Sequence, residues 1–258
     1  MSFFCQRARV APGLAQRYRK LWRGNAIDTL TAAIEKLADD SLLRALDEEQ
    51  LQVVLASSTR KDLKSGDVLI NQGDEEGDFA VFLLSGGLKI GMVSPGGREI
   101  ILNFCAPGEL VGEIALLDAV PRTASVTAMG PSTVLLIPSR TFTDTVSASP
   151  RSMIGVMREL ARRVRQLNLV IESDRTFSMA PRLARALVRL IDPDADDGRL
   201  RFNPSQSDLG AFAGLARENV SRLISEWEER GIVRREGRAL LVRDAEYLEL
   251  LAEFGDDL

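Results

Sequence analysis

The sequence predicts an α+β chain in three successive parts: a glycine-punctuated β-roll, one long helix with a narrow apolar seam, and a small helical domain closed by a hairpin. Three observations carry this. Between residues 41 and 139, glycine recurs at Gly66, Gly73, Gly77, Gly86, Gly87, Gly96, Gly97, Gly108 and Gly112, separating short runs rich in β-branched or large apolar residues. That spacing suits a compact barrel or roll. Next, Met153, Met157, Leu160, Val164, Leu167 and Ile171 follow one another in steps of four and three, an a/d seam. After Asp174 that register breaks, and shorter amphipathic segments begin. A chain of 258 residues has room for two ordinary domains.

Residues 1–40 read as an N-terminal extension. A basic stretch (Arg7, Arg9, Arg17, Arg19, Lys20, Arg23) turns amphipathic in AIDTLTAAIEKL. It is open to three readings: a tail leading into a surface helix, an arm that touches nucleic acid, or a start assigned too far upstream. Residues 41–148 form the roll. SLLRALDEEQLQVVLAS is a short helical entry, and DVLI, FAVFLL, LKIGMV, EIILNF, TASVTA and TVLLI are strand-length runs. Glycine at their junctions supplies the positive φ of tight turns.

Residues 149–177 are the long helix and a hinge. A surface helix packed on its own domain carries a wider apolar stripe than this one. The seam therefore predicts a two-helix coiled coil and a homodimer, with packing against its own roll as the alternative. Residues 178–258 form the last domain. Ser178 is placed to cap a helix whose first turn holds Pro181. A polar loop (DPDADDGR), a strand pair around RLRF, two helices and the hairpin VRREGRALLV follow.

Composition removes several functions. The chain has no histidine, so histidine-based nucleophile pairs, histidine-ligated zinc and histidine-ligated haem are excluded. Cys5 and Cys105 are too few and too far apart for a disulfide scaffold or a four-cysteine cluster. No run of about 18 apolar residues is present to span a bilayer, and MSFFCQRARV has no apolar stretch of a secretory signal. A cytoplasmic protein is expected. The net charge of −4 argues against general coating of polyanions, not against a local basic surface.

Two motifs remain. The first, residues 108–126, is GELVGEIALLDAVPRTASV. Its order, G-E-(I/L)-A-L-L followed by P-R-(T/S)-A-(S/T)-V, resembles the phosphate-binding cassette of cyclic-nucleotide-binding domains, and KSGDVLINQGD upstream is similar to the first turns of the same roll. The resemblance implies a ligand site. Arg122 would give the phosphate a charge-assisted bidentate contact. Thr123 and the Ala124 N–H would add donors, Glu113 would accept from the ribose 2′-OH, and Gly112 would permit close approach of the backbone. The alternative for Glu113 and Arg122 is a structural ion pair. Thr123 is compatible with cAMP and with cGMP. In cAMP-responsive regulators a polar pair on the long helix reaches the adenine shortly after an A-R-R-(L/V) run. Here the run is Ala161-Arg162-Arg163-Val164 and the pair falls on Leu167 and Asn168. Asn168 fits and Leu167 does not. Either the helix is held nearer its active register without ligand, or the base is selected by shape and Asn168.

The second motif, residues 205–233, is SQSDLGAFAGLARENVSRLISEWEERGIV. Ser205 with Asp208 fits a capping box, FAGLA a small-residue turn, and Arg217 opens the second helix of a helix-turn-helix layout, with Ser205 also expected among the DNA-binding residues. Arg217, Glu218, Ser221 and Arg222 share one face, opposite Val220, Leu223, Ile224 and Trp227. R-E-x-x-(S/G)-R resembles the recognition helix of the CRP/FNR superfamily, in which arginines read guanine and the glutamate accepts from cytosine. The implied half-site keeps a central GA, as TGTGA or a TTGA-like form. Arg234, Arg235, Arg238 and Arg243 on the hairpin would rest on phosphates as a wing. Residues 182–243 hold 12 arginines against 10 acidic residues, although the whole chain is acidic.

The likeness to the CRP/FNR superfamily spans residues 41–247. It implies a cyclic-nucleotide-binding β-roll, a long dimerisation helix and a C-terminal winged helix-turn-helix. The expected function is a dimeric transcription regulator of palindromic double-stranded DNA, controlled by cAMP or cGMP, working with RNA polymerase, and not an enzyme. Metal, haem, iron–sulfur cluster and membrane are not expected. Two alternatives stay open: a ligand-independent or redox-tuned regulator of the same fold, and a nucleotide-sensing module that regulates an enzyme partner.

Overall fold

The computed structural model describes residues 37–38, 41–75, 78–118, 120–237 and 239–257. The basic N-terminal segment and Arg238 lie outside them. A 3-10 turn, Leu42–Ala45, and helix α1, Glu48–Ala56, lead into the roll. Asp47 starts α1 with a reciprocal capping box, its carboxylate accepting from the Gln50 N–H while Gln50 Oε1 accepts from the Asp47 N–H.

Eight strands follow: β1 Thr59–Leu63, β2 Val68–Ile70, β3 Phe79–Ser85, β4 Leu88–Val93, β5 Glu99–Cys105, β6 Leu110–Val111, β7 Ser125–Ala128 and β8 Ser132–Pro138. They build two antiparallel sheets, ordered β1-β8-β3-β6 and β2-β7-β4-β5. Leu63, Ile70, Val81, Leu83, Leu88 and Val126 belong to the core between them. β3 does not alternate because both of its faces are covered. Val81 and Leu83 fill the roll, whereas Ala80, Phe82 and Leu84 pack with Leu51, Val54 and Leu55 of α1. All six expected strands are present. β1 was not expected: TRKDL exposes four of its five residues and lies at a sheet edge, where polar side chains are tolerated.

Helix α2, Glu113–Asp118, sits between β6 and β7; α3, Ser139–Ser147, and α4, Pro150–Thr176, follow the roll. Sequence patterning missed α3, which buries only Phe142 and Val146. α4 is rooted on the roll by Val156 and by Ser152, whose hydroxyl donates to Gln50 Oε1 at 2.7 Å. Its seam is open. Met153, Met157, Val164, Leu167 and Ile171 are exposed, and Leu160 is half-buried.

The last part comprises α5 Met179–Leu190, α6 Gln206–Ala213, α7 Arg217–Glu229, β9 Val233–Glu236, β10 Ala239–Val242 and α8 Ala245–Phe254. The strand pair expected around RLRF is reduced to single bridges, Ile191 to Leu200 and Arg199 to Leu241. Helix α8 was not anticipated. It buries Leu248, Leu251 and Ala252 in the core of this part. Ser178 precedes α5 as expected but makes no side-chain cap; its hydroxyl donates to Asp256 instead.

The roll and the C-terminal part share a core. Ile101, Phe104 and Ala106 are buried together with Leu190, Phe202 and Leu209. Phe104 stacks on Phe202 at 5.9 Å between centroids and meets Phe212 edge-on at 5.1 Å. Lys89 of β4 pairs with Asp208 of α6 at 3.0 Å. No helix among the described residues is long and apolar enough to cross a membrane.

Candidate nucleotide pocket and DNA-reading face

The cassette occupies the turn from β6 through α2 to β7. Gly112 has φ +81°, and a Cβ there would lie 3.0 Å from Arg122 Nη1 and 3.2 Å from Ile70 Cδ1. Both conformation and space therefore require glycine. The group that approaches it is Arg122, which is only 4% exposed. Its Nη2 donates to the Phe79 carbonyl at 2.6 Å and its Nη1 to the Gly112 carbonyl at 3.1 Å. The guanidinium carbon lies 4.8 Å from the centroid of the Phe79 ring. Burial pulls this guanidinium below its ordinary pKa, with Asp78 and Asp74 acting against that shift; arginine remains charged throughout. The backbone is laced as well. Arg122 N–H donates to the Asp74 carbonyl, Gly73 N–H to the Arg122 carbonyl, and Gln72 N–H to the Ser125 hydroxyl. The upstream turn and the cassette thus hold each other.

Beside this fixed cation, Thr123 is exposed and Ala124 half-buried. Among the described residues neither the Thr123 hydroxyl nor the Ala124 N–H has a hydrogen-bond partner. Glu113 is buried, but it does not pair with Arg122, so the structural ion pair considered from the sequence is not formed. Its partner is Arg163 of α4, whose Nη1 donates to Glu113 Oε1. Arg163 Nε also reaches Glu159 Oε1 at 3.3 Å, and Arg162 grips the same carboxylate through Nε and Nη2. Burial alone would raise the pKa of Glu159, but hydrogen bonds from Arg162 and Arg163 outweigh it and hold the carboxyl below its ordinary value. Sequence reasoning quoted Arg163 only as part of the A-R-R-V run and gave it no role.

Leu167 and Val164 line the same cleft, about 2330 Å³, as Gly112, Glu113, Arg122 and Thr123. Leu167 is 61% exposed. Asn168 is exposed but does not line the cleft. One residue on, the helix has turned by about 100°, which places Asn168 on the face of Val164 and Ile171. The structure therefore puts Leu167 in one cleft with the cassette within one chain, while Asn168 lies outside that cleft.

The second candidate surface is built on α6 and α7. Ser205 caps α6: its hydroxyl accepts from the Asp208 N–H at 3.1 Å and donates to Asp208 Oδ2 at 2.6 Å. With Asp208 Oδ1 bound by Lys89, this end of α6 is turned toward the roll. α6 ends at Gly214 in the left-handed region, where Arg182 of α5 donates to the Ala213 and Gly214 carbonyls. Gly210 lets the turn close, since a Cβ would stand 2.7 Å from the Leu215 carbonyl oxygen. Neither Arg182 nor Gly210 was singled out in the sequence.

On α7, Val220, Leu223, Ile224 and Trp227 are buried, while Arg217, Glu218 and Arg222 are exposed and Ser221 is half-buried. Among the described residues no hydrogen bond or ion pair engages the side chains of Arg217, Glu218 or Arg222. The hairpin differs. Arg234 pairs with Glu236 at 3.4 Å, Arg235 with Glu228 at 3.3 Å and Arg243 with Glu236 at 3.8 Å.

Comparison with known proteins identifies the two domains that carry these surfaces. The sequence profile of the cyclic nucleotide-binding domain matches residues 60–149, and that of the Crp-like helix-turn-helix domain matches residues 181–251. The chain is 27% identical over 219 residues to a CRP-like cAMP-activated global transcriptional regulator of Mycobacterium tuberculosis, covering 83% of this chain and 97% of the relative. It is 30% identical over 211 residues to the cyclic AMP receptor protein of Thermus thermophilus, covering 82% and 96%. With the transcriptional activator protein anr of Pseudomonas aeruginosa it shares 31% over 205 residues, covering 77% and 81%. Among solved structures, FixK2 from Bradyrhizobium japonicum has the same fold, with a TM-score of 0.68 at 20% identity over 75% of this chain and 96% of that one.

Proposed function

The chain belongs to the CRP/FNR family of transcription regulators, and from that premise we propose that it is a dimeric, sequence-specific DNA-binding regulator controlled by cAMP bound in the roll. The observation that carries this reading is the link between cassette and helix. The buried Glu113 takes its cation from Arg163 of α4, not from the cassette itself. A cyclic nucleotide supplies one singly charged phosphate and a ribose hydroxyl. Arg122 is held rigid for the phosphate, and Thr123 and Ala124 contribute the unengaged donors beside it. A ribose hydroxyl donating to Glu113 competes with Arg163, so occupancy acts directly on α4.

Dimerisation is supported by the seam. Five of its six apolar residues are exposed, which a second copy of α4 would cover. Asn168 then faces that copy. The hinge between α4 and α5 would set the two α7 helices about one turn of DNA apart, ~34 Å. Arg217 and Arg222 would read guanine and Glu218 cytosine in a TGTGA-like half-site, and the promoter-bound dimer would act on RNA polymerase.

One observation favours a second reading, a regulator of this fold that needs no nucleotide. Glu113 already has a partner, and α4 runs unbroken to Thr176. Anisotropy of a labelled TGTGA–TCACA duplex at one fixed salt, with no nucleotide, with cAMP and with cGMP, separates the two. Tighter binding with cAMP alone is expected. Equal binding in all three conditions overturns nucleotide control, and no binding in any overturns the half-site.

A further inference from the structure

The joint between α4 and α5 is held by side chains that take no part in the reading above. Arg185, in the second turn of α5, donates through Nη1 to the Leu169 carbonyl of α4 at 2.8 Å and through Nη2 to the Ala252 carbonyl of α8 at 2.9 Å. Its guanidinium carbon lies 5.3 Å from the centroid of Phe177, inside the joint. Ser178, the residue before α5, donates its hydroxyl to Asp256 Oδ1 at 2.7 Å and its N–H to Oδ2 at 3.4 Å. Gly255, buried and with φ +72°, brings the chain past Phe177; a Cβ there would stand 2.9 Å from the ring. The C-terminal end of the chain therefore wraps the hinge.

The chemistry suits a rigid tie. A guanidinium fork fixes two acceptors at a set angle, which a single ammonium cannot do. Ala252 lies in the last turn of α8, where carbonyls lack helical partners and a cation is favoured. Asp256 sits at the start of α5, where a carboxylate is favoured. Leu169 is the residue after Asn168. Any rotation or slide of α4 at Leu167 and Asn168 moves the Leu169 carbonyl, and Arg185 passes that movement to α5. Arg182 of the same helix holds the turn between α6 and α7 through the Ala213 and Gly214 carbonyls.

We propose that Arg185, together with α8 and Asp256, forms a strut that sets the α4–α5 hinge, which makes Arg185 a positioning residue for DNA reading. The signalling role of the strut rests on the nucleotide-controlled reading; its mechanical role does not. The test uses the full-length chain and Arg185→Ala, Arg185→Lys and Asp256→Asn variants. DNA affinity is measured with and without cAMP, and amide hydrogen exchange is followed over residues 169–178. The wild type is expected to respond to cAMP, and Arg185→Ala to lose about fivefold or more of that response while exchange at the hinge rises. Arg185→Lys, which can keep one of the two bonds, should fall between. A folded Arg185→Ala variant with wild-type exchange at the hinge overturns the strut. So does one with faster exchange but an unchanged response to cAMP. If the wild type itself ignores cAMP, the nucleotide-controlled reading fails, and the exchange measurement still decides the strut. Should Arg185→Ala not fold, Asp256→Asn carries the same comparison, because Asp256 is exposed and the substitution keeps its shape.

Discussion

In the cassette, Arg122 is 4% exposed, donates to two backbone carbonyls and lies over a phenylalanine ring. On α7, Arg217 and Arg222 are exposed and engage nothing among the described residues. Under the proposed function the same side chain would serve two kinds of recognition. A small ligand that must be gripped by one or two groups needs those groups fixed beforehand, and carbonyls and a ring fix Arg122 at the cost of desolvation. A DNA duplex supplies its own acceptors over a wide surface, so its readers are left free on a rigid helix. Under the proposed function the pocket would gain a ligand by exchanging partners, at Glu113 and Arg163, whereas the helix would gain DNA by adding them. Such an exchange would couple the pocket to α4, because one of the partners, Arg163, stands on that helix.

Removing an arginine from each region should break this contrast most visibly on α7. Arg222→Ala is expected to cost about 1–3 kcal/mol per half-site. A dimer loses that twice, so affinity for the palindrome falls by ~30-fold or more, with thermal unfolding unchanged. Retained affinity in anisotropy titrations would show that R-E-x-x-S-R is not the reading face. Arg122→Met should do the reverse, leaving the Phe79 and Gly112 carbonyls without their donor and lowering stability by about 1–3 kcal/mol. Urea unfolding and calorimetry with cAMP check this: an unaltered midpoint together with normal cAMP binding would contradict the fixed-arginine account.

Smaller effects sharpen the comparison. Glu113→Gln keeps the shape but leaves Arg163 facing a neutral amide, and cAMP affinity should fall by about tenfold, ~1.4 kcal/mol. Calorimetry showing no loss would mean that the exchange at Glu113 is not part of binding. The wing should respond least. Arg234 is exposed and already paired with Glu236, a pair worth at most about 1 kcal/mol. Arg234→Ala is expected to reduce the salt dependence of DNA affinity by about one phosphate contact per wing without changing sequence preference. A changed preference between GA-containing and scrambled duplexes would make Arg234 a base reader.

Much of this architecture was legible from residue pattern. Apolar runs between glycines located six of the eight roll strands, and the long helix α4 and the Ser205–Asp208 capping box were placed correctly. Two of the failures share a cause, a weak apolar pattern. β1 is polar because it lies at an edge, and α3 is rich in Ser and Thr with only Phe142 and Val146 to mark its buried face. α8 is different, because it carries a legible spacing in Leu248, Leu251 and Ala252. In the candidate site the motif residues were named, and their partners were not. Arg122 is bound by the carbonyls of Phe79 and Gly112, and a backbone acceptor leaves no trace in residue identity.

The sequence by itself determined most of the elements, the cassette and the exposed face of α7, because periodicity, glycine placement and local spacing act over a few residues. Tertiary structure alone decided which groups meet across long separations. Glu113 finds Arg163 fifty residues away, Arg185 ties Leu169 to Ala252 across the hinge, and Phe104 of the roll is enclosed by Phe202 and Phe212. Charge and aromatic partners are interchangeable in a sequence, where any arginine could serve any carboxylate. Only packing, which brings one candidate within hydrogen-bond distance and holds the others away, makes the choice.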